Sequence, residues 1–581
     1  MNTLKYSEIL KVNREMGRNL SDKRYEIVVL SNIITHMLND ILEYYVKMEN
    51  INAHVKSGDY DNIVQESEKF RNSNLVIIFW EIANIIDGMQ YKANIMNNDE
   101  IEAALSKIKA EIDFTLTNLK DASLVLFNRF SSLIFNYKTL NVNNLDKICE
   151  NLNRYLEQKK SSNIILIDTD RVIAKGGIEK SLDFRYYYSS RALYTIEFYK
   201  NYAEYIKPII LSANGKAKKA IIFDCDNTLW KGVLGEDELG SIEMSSRTRD
   251  GAIFEEVQHL ALELNKKGIL IGLCSKNNPQ DVDEVIAHHA DMKIKDEHIA
   301  IKKVNWGDKI SNLKAIASEL NIGLDSLVFV EDSDFEANCV REFLHQVTVL
   351  KVPKELSEYP NMLRGYLGLF YNISESKEDM VKAKMYNQQS KREQEKTKFS
   401  NLDDYLKSLD LKLTIHIDNQ TIISRISQLT QKTNQFNLTT KRYTEFDIKK
   451  FMEDKKYKIF DFNVKDKFGD YGITGLCIVL VDYSNRRAEI DTFLMSCRVI
   501  GRKIDFSFSD YIIEHLKELD VELLEAKYIK SLKNEQVFNF YERIGFELIN
   551  GNESEKSYRL KLSNYRPKCL EYIKVEDGRK N

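Results

Sequence analysis

Short apolar runs recur along the chain, each followed by a polar turn and a stretch whose apolar positions have helical spacing. Tyr25–Leu30, Leu75–Trp80, Leu124–Phe127 and Asn163–Ile167 read as strands, a further strand near Val55 ends at Gly58-Asp59, and Ile33–Met48 reads as a helix. This alternation over residues 1–212 predicts a parallel sheet covered by helices. The pattern restarts with strands at Ala220–Phe223, Ile269–Cys274 and Ser326–Val330 and helices at Ile253–Leu264 and Ile310–Glu319, which marks residues 213–355 as a second parallel domain. Residues 356–405 form a connector in which Lys377–Thr397, dense in Lys, Glu and Gln, reads as a solvated helix. Residues 406–575 read as an α+β domain, with a strand over Ala488–Cys497 and a helix over Ile504–Leu516.

At 581 residues the chain exceeds what one core can hold, in agreement with this division. Its net charge of −4 gives no field to gather nucleic acid or an anionic membrane, so neither is expected as a partner. Charged residues run through the first twenty positions, and no apolar run approaches the ~18 residues of a membrane helix. Seven cysteines without C-x-x-C spacing suggest reduced thiols in a cytoplasmic protein.

Candidate chemistry begins where the strand Ala220–Phe223 stops, at Asp224 and Asp226. Residues i and i+2 of an extended chain point the same way, so both carboxylates can meet one metal ion or phosphate; an acidic turn is the plainer reading. Three later stretches bear on the choice: Ser275-Lys276-Asn277-Asn278 after the second strand, Lys309 at the end of a loop that leads into a helix, and Glu331-Asp332-Ser333-Asp334 after the third. Strand-aspartates, strand-serine, lysine and strand-acids in this order resemble the four motifs of the haloacid dehalogenase (HAD) superfamily. The resemblance implies Asp224 as phosphoryl-accepting nucleophile, Asp226 as general acid/base, Ser275 as a hydrogen-bond donor to a phosphoryl oxygen and Lys309 as the neutralising cation. It also implies Mg²⁺ held by Asp224, the carbonyl of Asp226, and Asp332. Only Trp230–Ser246 is left for a cap, enough for a β-flap, so a bulky substrate or closure by flanking domains is expected. Cys225 and Cys274 read as sheet and core residues.

The run Asp224-Cys225-Asp226-Asn227-Thr228-Leu229-Trp230-Lys231-Gly232 is similar to the first motif of FkbH-like proteins, HAD subfamily IIIC. That family usually closes its fourth motif with Asp-Asp-Asn-Pro, where this chain has Glu331-Asp332-Ser333-Asp334, a departure that bears on the phosphatase rate. By the same resemblance residues 1–212 look like an SGNH-hydrolase domain with a flavodoxin-like sheet. Ser31-Asn32 stands at the nucleophile position, but the Gly-Asp-Ser turn and the late Asp-x-x-His pair are missing, which implies a degenerate docking or lid module. The aromatic run Phe184–Tyr188 is expected to pack between domains.

Residues 406–575 resemble a GNAT (N-acetyltransferase-like) fold. Arg498-Val499-Ile500-Gly501-Arg502-Lys503 before a helix is similar to the GNAT phosphate loop, with Lys503 in place of a small residue, and a helix N-terminus favours an anion there. Asn534 and Tyr541, the latter in Phe540-Tyr541-Glu542-Arg543-Ile544-Gly545-Phe546, match the closing part of that fold, and Gln431–Asn437 matches an FkbH-like pattern or is a polar loop. Cys497, beside Arg498 and a helix N-terminus, reads either as an acyl-accepting thiolate or as a structural cysteine. The whole resemblance implies a bifunctional glyceryltransferase/phosphatase. Such an enzyme loads a glyceryl group from 1,3-bisphosphoglycerate, a small phosphorylated metabolite, onto the phosphopantetheine thiol of an acyl carrier protein and removes the 3-phosphate. Two alternatives stand beside it: a metabolite phosphatase fused to an acyl-CoA-dependent N-acetyltransferase, and a non-catalytic biosynthetic scaffold.

Overall fold

The computed structural model describes residues 4–16, 24–86, 88–234, 236, 241–373, 401–467, 469–531 and 533–578, without the side chains of residues 402, 403 and 497. The expected helix at Lys377–Thr397 lies outside the described residues. The protein is a multidomain α/β chain with two parallel five-stranded sheets and a larger mixed one. It divides into two compact units, residues 1–214 with 443–448, and 215–442 with 449–581.

In the first unit β1 (Tyr25–Ser31), β2 (Ala53–Ser57), β3 (Leu75–Phe79), β4 (Val125–Asn128) and β5 (Ile164–Ile167) pair in the order β2-β1-β3-β4-β5, all parallel. This is the flavodoxin-like order. β3 and β4 are buried along their whole length, the pattern of strands covered on both faces. At the switch point between β1 and β3 the chain ties itself shut. Asn32 Nδ2 donates to the Glu81 carbonyl at 2.9 Å, and Glu81 N–H donates to Asn32 Oδ1 at 2.7 Å. Ser31 Oγ is spent on the Ile33 backbone, at 2.5 Å to its carbonyl and 3.0 Å from its N–H. The Phe184–Ser190 helix packs within this unit, Phe184 and Tyr187 meeting Phe135 with ring centroids 5.9 Å apart, while Tyr186 and Tyr188 are exposed. The aromatic run is thus anchored inside its own unit, because its helix spacing turns two of its rings onto Phe135.

In the second unit β6 (Ala220–Phe223), β7 (Leu270–Ser275), β8 (Ile299–Val304), β9 (Leu327–Glu331) and β10 (Thr348–Lys351) form a parallel sheet ordered β10-β9-β6-β7-β8. Counted from β6 this is the doubly wound order 3-2-1-4-5, whose direction of winding reverses between β6 and β9. Ile221, Phe223, Val328 and Val330 face one apolar cluster, and Ala220, Ile222, Leu327 and Phe329 the opposite one, so both faces are sealed.

The mixed sheet contains β11 (Leu411–Ile417), β12 (Phe436–Asn437), β13 (Tyr457–Asp466), β14 (Gly469–Asp482), β15 (Arg487–Met495), β16 (Leu523–Ile529), β17 (Glu547–Gly551), β18 (Glu555–Lys561) and β19 (Ile573–Asp577). β15 and β16 run parallel from Arg487/Leu523 to Ile490/Ala526, where their pairing ends. Beyond that point β12 sits in the opening: Phe436 and Asn437 pair with Met495 and Leu494, and Ile529 N–H donates to the Leu438 carbonyl at 2.8 Å. β15 stops at Met495, and Cys497 lies in the 3₁₀ turn Cys497–Val499 rather than on the strand as expected; Val499 N–H bonds Ser496 O at 3.1 Å and curls the chain. Two contacts join the part of the chain that carries this sheet to the amino ends of β6 and β9. Lys219 Nζ donates to the Lys432 carbonyl at 2.9 Å, and Lys533 pairs with Asp325.

Candidate active site

Four loops bring the chemistry to the carboxyl ends of β6, β7 and β9. Asp224 follows β6 directly, its N–H bound to Val330 O of β9 at 3.0 Å. The chain reverses at Asn227, whose φ of 51° is left-handed, and Asn227 Oδ1 accepts from Gly232 N–H at 3.2 Å. Asparagine tolerates this conformation better than most residues. Turn bonds from Thr228 and Leu229 to the Cys225 carbonyl, at 3.2 and 2.8 Å, complete the fold-back. Across it Lys231 bridges to Glu243, which gives the short β-flap in the span where only a minimal cap fits.

Lys309 opens the helix Lys309–Glu319, with Asp308 capping it through Ser311 N–H at 2.7 Å. A buried cation at a helix N-terminus opposes the macrodipole, so it needs acids close by. Asp224 Oδ1 lies 3.0 Å from Lys309 Nζ and Glu331 Oε2 2.6 Å away, all three residues being buried. Burial alone would pull the lysine down; Asp224 and Glu331 outweigh it and hold the ammonium above the ordinary lysine range. Glu331, the fully buried last residue of β9, also accepts from Ser333 N–H at 3.0 Å. Burial, then Asp224 beside it, pushes its carboxyl up to about 7. Asp332 is raised by the same two causes, and Lys351 of β10 binds its backbone carbonyl.

Oxygens of Asp224, Glu331 and Asp332 lie within 4.8 Å of one another. Asp224 Oδ1 is buried and, although near Lys309, accepts no well-directed hydrogen bond. Three carboxylates against one ammonium, all hard oxygen donors, fit a small divalent cation such as Mg²⁺. Glu331 thus joins the acids, and its extra methylene carries the carboxylate to Lys309.

A second chain of contacts runs from β7. Ser275, buried at its end, accepts from Asn277 Nδ2 at 3.3 Å, and the same nitrogen donates to Asp226 Oδ2 at 2.9 Å. Asp226 Oδ1 accepts from Trp230 Nε1 at 3.0 Å and Leu234 N–H at 3.2 Å. Burial raises the Asp226 pKa against these three donors. The Asp226 carboxylate therefore faces Asn277 and stands outside the acid cluster, which leaves its backbone carbonyl as the atom the sequence reading gave to the metal. Cys225 and Cys274 are both buried, and burial pushes both thiols up. The sequence reading did not single out Asn277 or Trp230; the only signal was their position inside the first two motifs.

The second candidate group is built differently. Gly501 and Lys503 are left-handed, with φ of 84° and 60°, and Lys503 leads into the helix Ile504–Glu518. Arg502 is turned inward, 3.4 Å from Asp466, 4.4 Å above the Tyr471 ring and donating to the Arg498 carbonyl at 2.8 Å. Arg498 Nε meets Ser496 Oγ at 3.2 Å. In the first turn of the helix Asp505 is buried and paired with Arg543 at 3.2 Å, so an acid already answers the positive end of the dipole. Asn534 is fully buried, its Oδ1 accepting from Ser531 N–H at 2.7 Å and its Nδ2 donating to Asn437 O at 2.8 Å and Ile529 O at 2.9 Å. It therefore fastens β12 to β16 instead of facing a ligand. The Tyr541 hydroxyl is buried without a hydrogen bond, and burial raises its pKa. The Cys497 thiol lies outside the described side chains.

No protein-family model matches the sequence, and no curated protein matches it. Among solved structures the chain is similar to the N-terminal part of the protein BF1531 from Bacteroides fragilis, which contains a phosphatase domain and was crystallised with Mg. The match has 24% identity and a TM-score of 0.55, and covers 64% of this chain and 100% of that one. The chain is also similar to the ribosomal-protein-S18-alanine N-acetyltransferase from Escherichia coli, with 15% identity, 27% of this chain, 99% of that chain and a TM-score of 0.22. Spermidine N-acetyltransferase from Vibrio cholerae, in complex with CoA and spermine, matches with 18% identity, 26% of this chain, 97% of that chain and a TM-score of 0.21. Among the described residues no helix is long and apolar enough to cross a membrane.

Proposed function

We propose that the protein is a Mg²⁺-dependent phosphomonoesterase of the HAD type joined to an acyltransferase module. The observation that carries this reading is the meeting of Asp224, Lys309, Glu331 and Asp332 at the switch point of a doubly wound sheet. Similarity to a Mg-bound phosphatase-containing structure supports it. A bound Mg²⁺, held by Asp224 and Asp332 with Glu331 beside them, would gather the negative charge of the phosphoryl group.

The chain's own groups do the rest. Asp224 attacks phosphorus, and the bond from phosphorus to the leaving oxygen breaks as Asp226 hands that oxygen a proton. Asp226, now a carboxylate, takes a proton from water, which attacks the aspartyl phosphate and frees Asp224. Ser275 donates to a phosphoryl oxygen, and Lys309, paired with the nucleophile at 3.0 Å, neutralises charge on it and on the transferring group. Asp224→Asn in the full chain is expected to abolish Mg²⁺-dependent phosphate release; release that persists would remove Asp224 as nucleophile.

Within this class we assign the FkbH-like reaction: glyceryl transfer from 1,3-bisphosphoglycerate to a carrier protein's phosphopantetheine thiol, with loss of the 3-phosphate. The first-motif resemblance and the joining of the two modules support it. An acyl phosphate is an activated donor, so a thiolate displaces phosphate without further energy input. Intact-mass measurement of a carrier protein after incubation with the chain and 1,3-bisphosphoglycerate tests this. A glyceryl adduct is expected, and an unmodified cognate carrier would overturn it. Cys497→Ser in the same assay decides whether that thiol relays the acyl group, since unchanged loading removes it from the path.

A further inference from the structure

Asp226 and Ser275 come from different strands, yet the proposed reaction needs them in one geometry. Ser275 must meet a phosphoryl oxygen while Asp226 aims a proton at the leaving oxygen bound to the same phosphorus. The one described side chain that hydrogen-bonds both is Asn277, 3% exposed, with Nδ2 at 2.9 Å from Asp226 Oδ2 and 3.3 Å from Ser275 Oγ. A primary amide nitrogen carries two N–H donors in a fixed plane, and here each has an acceptor.

The bonding of Asp226 also tells its two oxygens apart. Oδ1 accepts from both Trp230 Nε1 and Leu234 N–H, which engages both of its lone pairs. Among the described residues Oδ2 accepts from Asn277 alone and keeps one position for a proton. The transferable proton therefore belongs on Oδ2, the oxygen that Asn277 holds.

We propose that Asn277 is a positioning residue for proton donation: it fixes Asp226 Oδ2 relative to Ser275, so that phosphoryl contact and leaving-group protonation come from one rigid frame. This rests on the phosphatase reading above. Asn277 exchanges no proton and forms no bond to the substrate. In the first step the Asp224–phosphorus bond forms, the bond from phosphorus to the leaving oxygen breaks, and the Oδ2 proton of Asp226 moves to that oxygen.

The dependence on Asn277 then follows how much the leaving group needs the proton. A nitrophenolate is a weak base and departs unaided, whereas an alkoxide departs only as it is protonated. The test compares kcat/KM of the full chain with Mg²⁺ on glycerol phosphate and on p-nitrophenyl phosphate, a ratio that reports only steps up to the first chemical one. Asn277→Leu keeps the branching of the side chain, with a larger volume, and removes both donors; it is expected to lower kcat/KM about 100-fold on the alkyl ester and no more than about threefold on the aryl ester. Asn277→Ser, smaller and with one donor, is expected to lose less, in the same order of substrates. Equal losses on both esters would overturn the assignment and reduce Asn277 to a packing residue. A wild-type chain that releases phosphate from neither ester would instead remove the phosphatase reading, and this assignment with it.

Discussion

Lys309 stands at the end of its helix where a cation is least welcome, and it is buried there. It is retained by Asp224 and Glu331, and without it three acids would face one another. Lys309→Met is therefore expected to lower the apparent Tm in metal-free buffer, in line with the roughly 3–5 kcal/mol lost on breaking a buried pair. Millimolar Mg²⁺ should return part of that loss, and paired thermal melts with and without the ion measure it. Glu81 in the first unit gives a pH prediction. It is buried, accepts from Tyr194 Oη at 2.7 Å, and burial raises its pKa from 4.5 to about 7. Between those values the folded state binds the proton more tightly than the unfolded one, so stability falls as pH rises from about 4.5 to about 7 and then levels off. Glu81→Gln should leave the stability of this unit nearly unchanged at pH 4.5 and raise it at pH 8 by roughly 3 kcal/mol, read by chemical denaturation at the two pH values. At this scale spacing told which polar residues gather, since the motif order led to Asp224, Lys309 and Asp332. It could not tell which polar groups are already engaged: Arg502 is paired with Asp466, and Asn534 bonds the backbone. Asn277 escaped notice because its value lies in a distance to Asp226, across a sheet, that no local pattern encodes.

Among the elements, the parallel strands were readable because burial on both faces leaves continuous apolar runs, as at Ile221–Phe223 and Leu327–Val330. Their lateral order was not, because β6 and β9 become neighbours only through pairing over a long sequence separation. β12 is two residues long, too short to show a period, and in the sequence it reads as a polar loop after a helix. Its seat depends on Asn534 and on the early end of β15–β16 pairing. Nearby, Gly475 of β14 lies opposite Phe462 of β13, and a Cβ there would stand 1.8 Å from a ring carbon of Phe462. That ring is buried against Phe508 at 4.6 Å and has nowhere to go. Gly475→Ala is expected to destabilise the second unit by about 1–3 kcal/mol, measured by chemical denaturation.

Across the molecule, the compact units divide at 214/215, directly after the helix Ile196–Ala213. The assignment of residues 443–448 to the first unit was not readable, since contact clustering is a property of the folded chain. In the second unit Lys533 and Asp325 pair between the parallel and mixed sheets. Both are about a third exposed, so a double-mutant cycle with Lys533→Ala and Asp325→Ala should give a coupling of only about 0.5 kcal/mol. From Lys219, tied to Lys432 at the end of the helix Ile423–Lys432, to Asp224 the chain runs along the full length of β6, a separation of roughly 16 Å at strand spacing. The acids and these ties thus lie at opposite poles of one layer. A group held beside these ties is therefore kept from the acids by at least the length of β6.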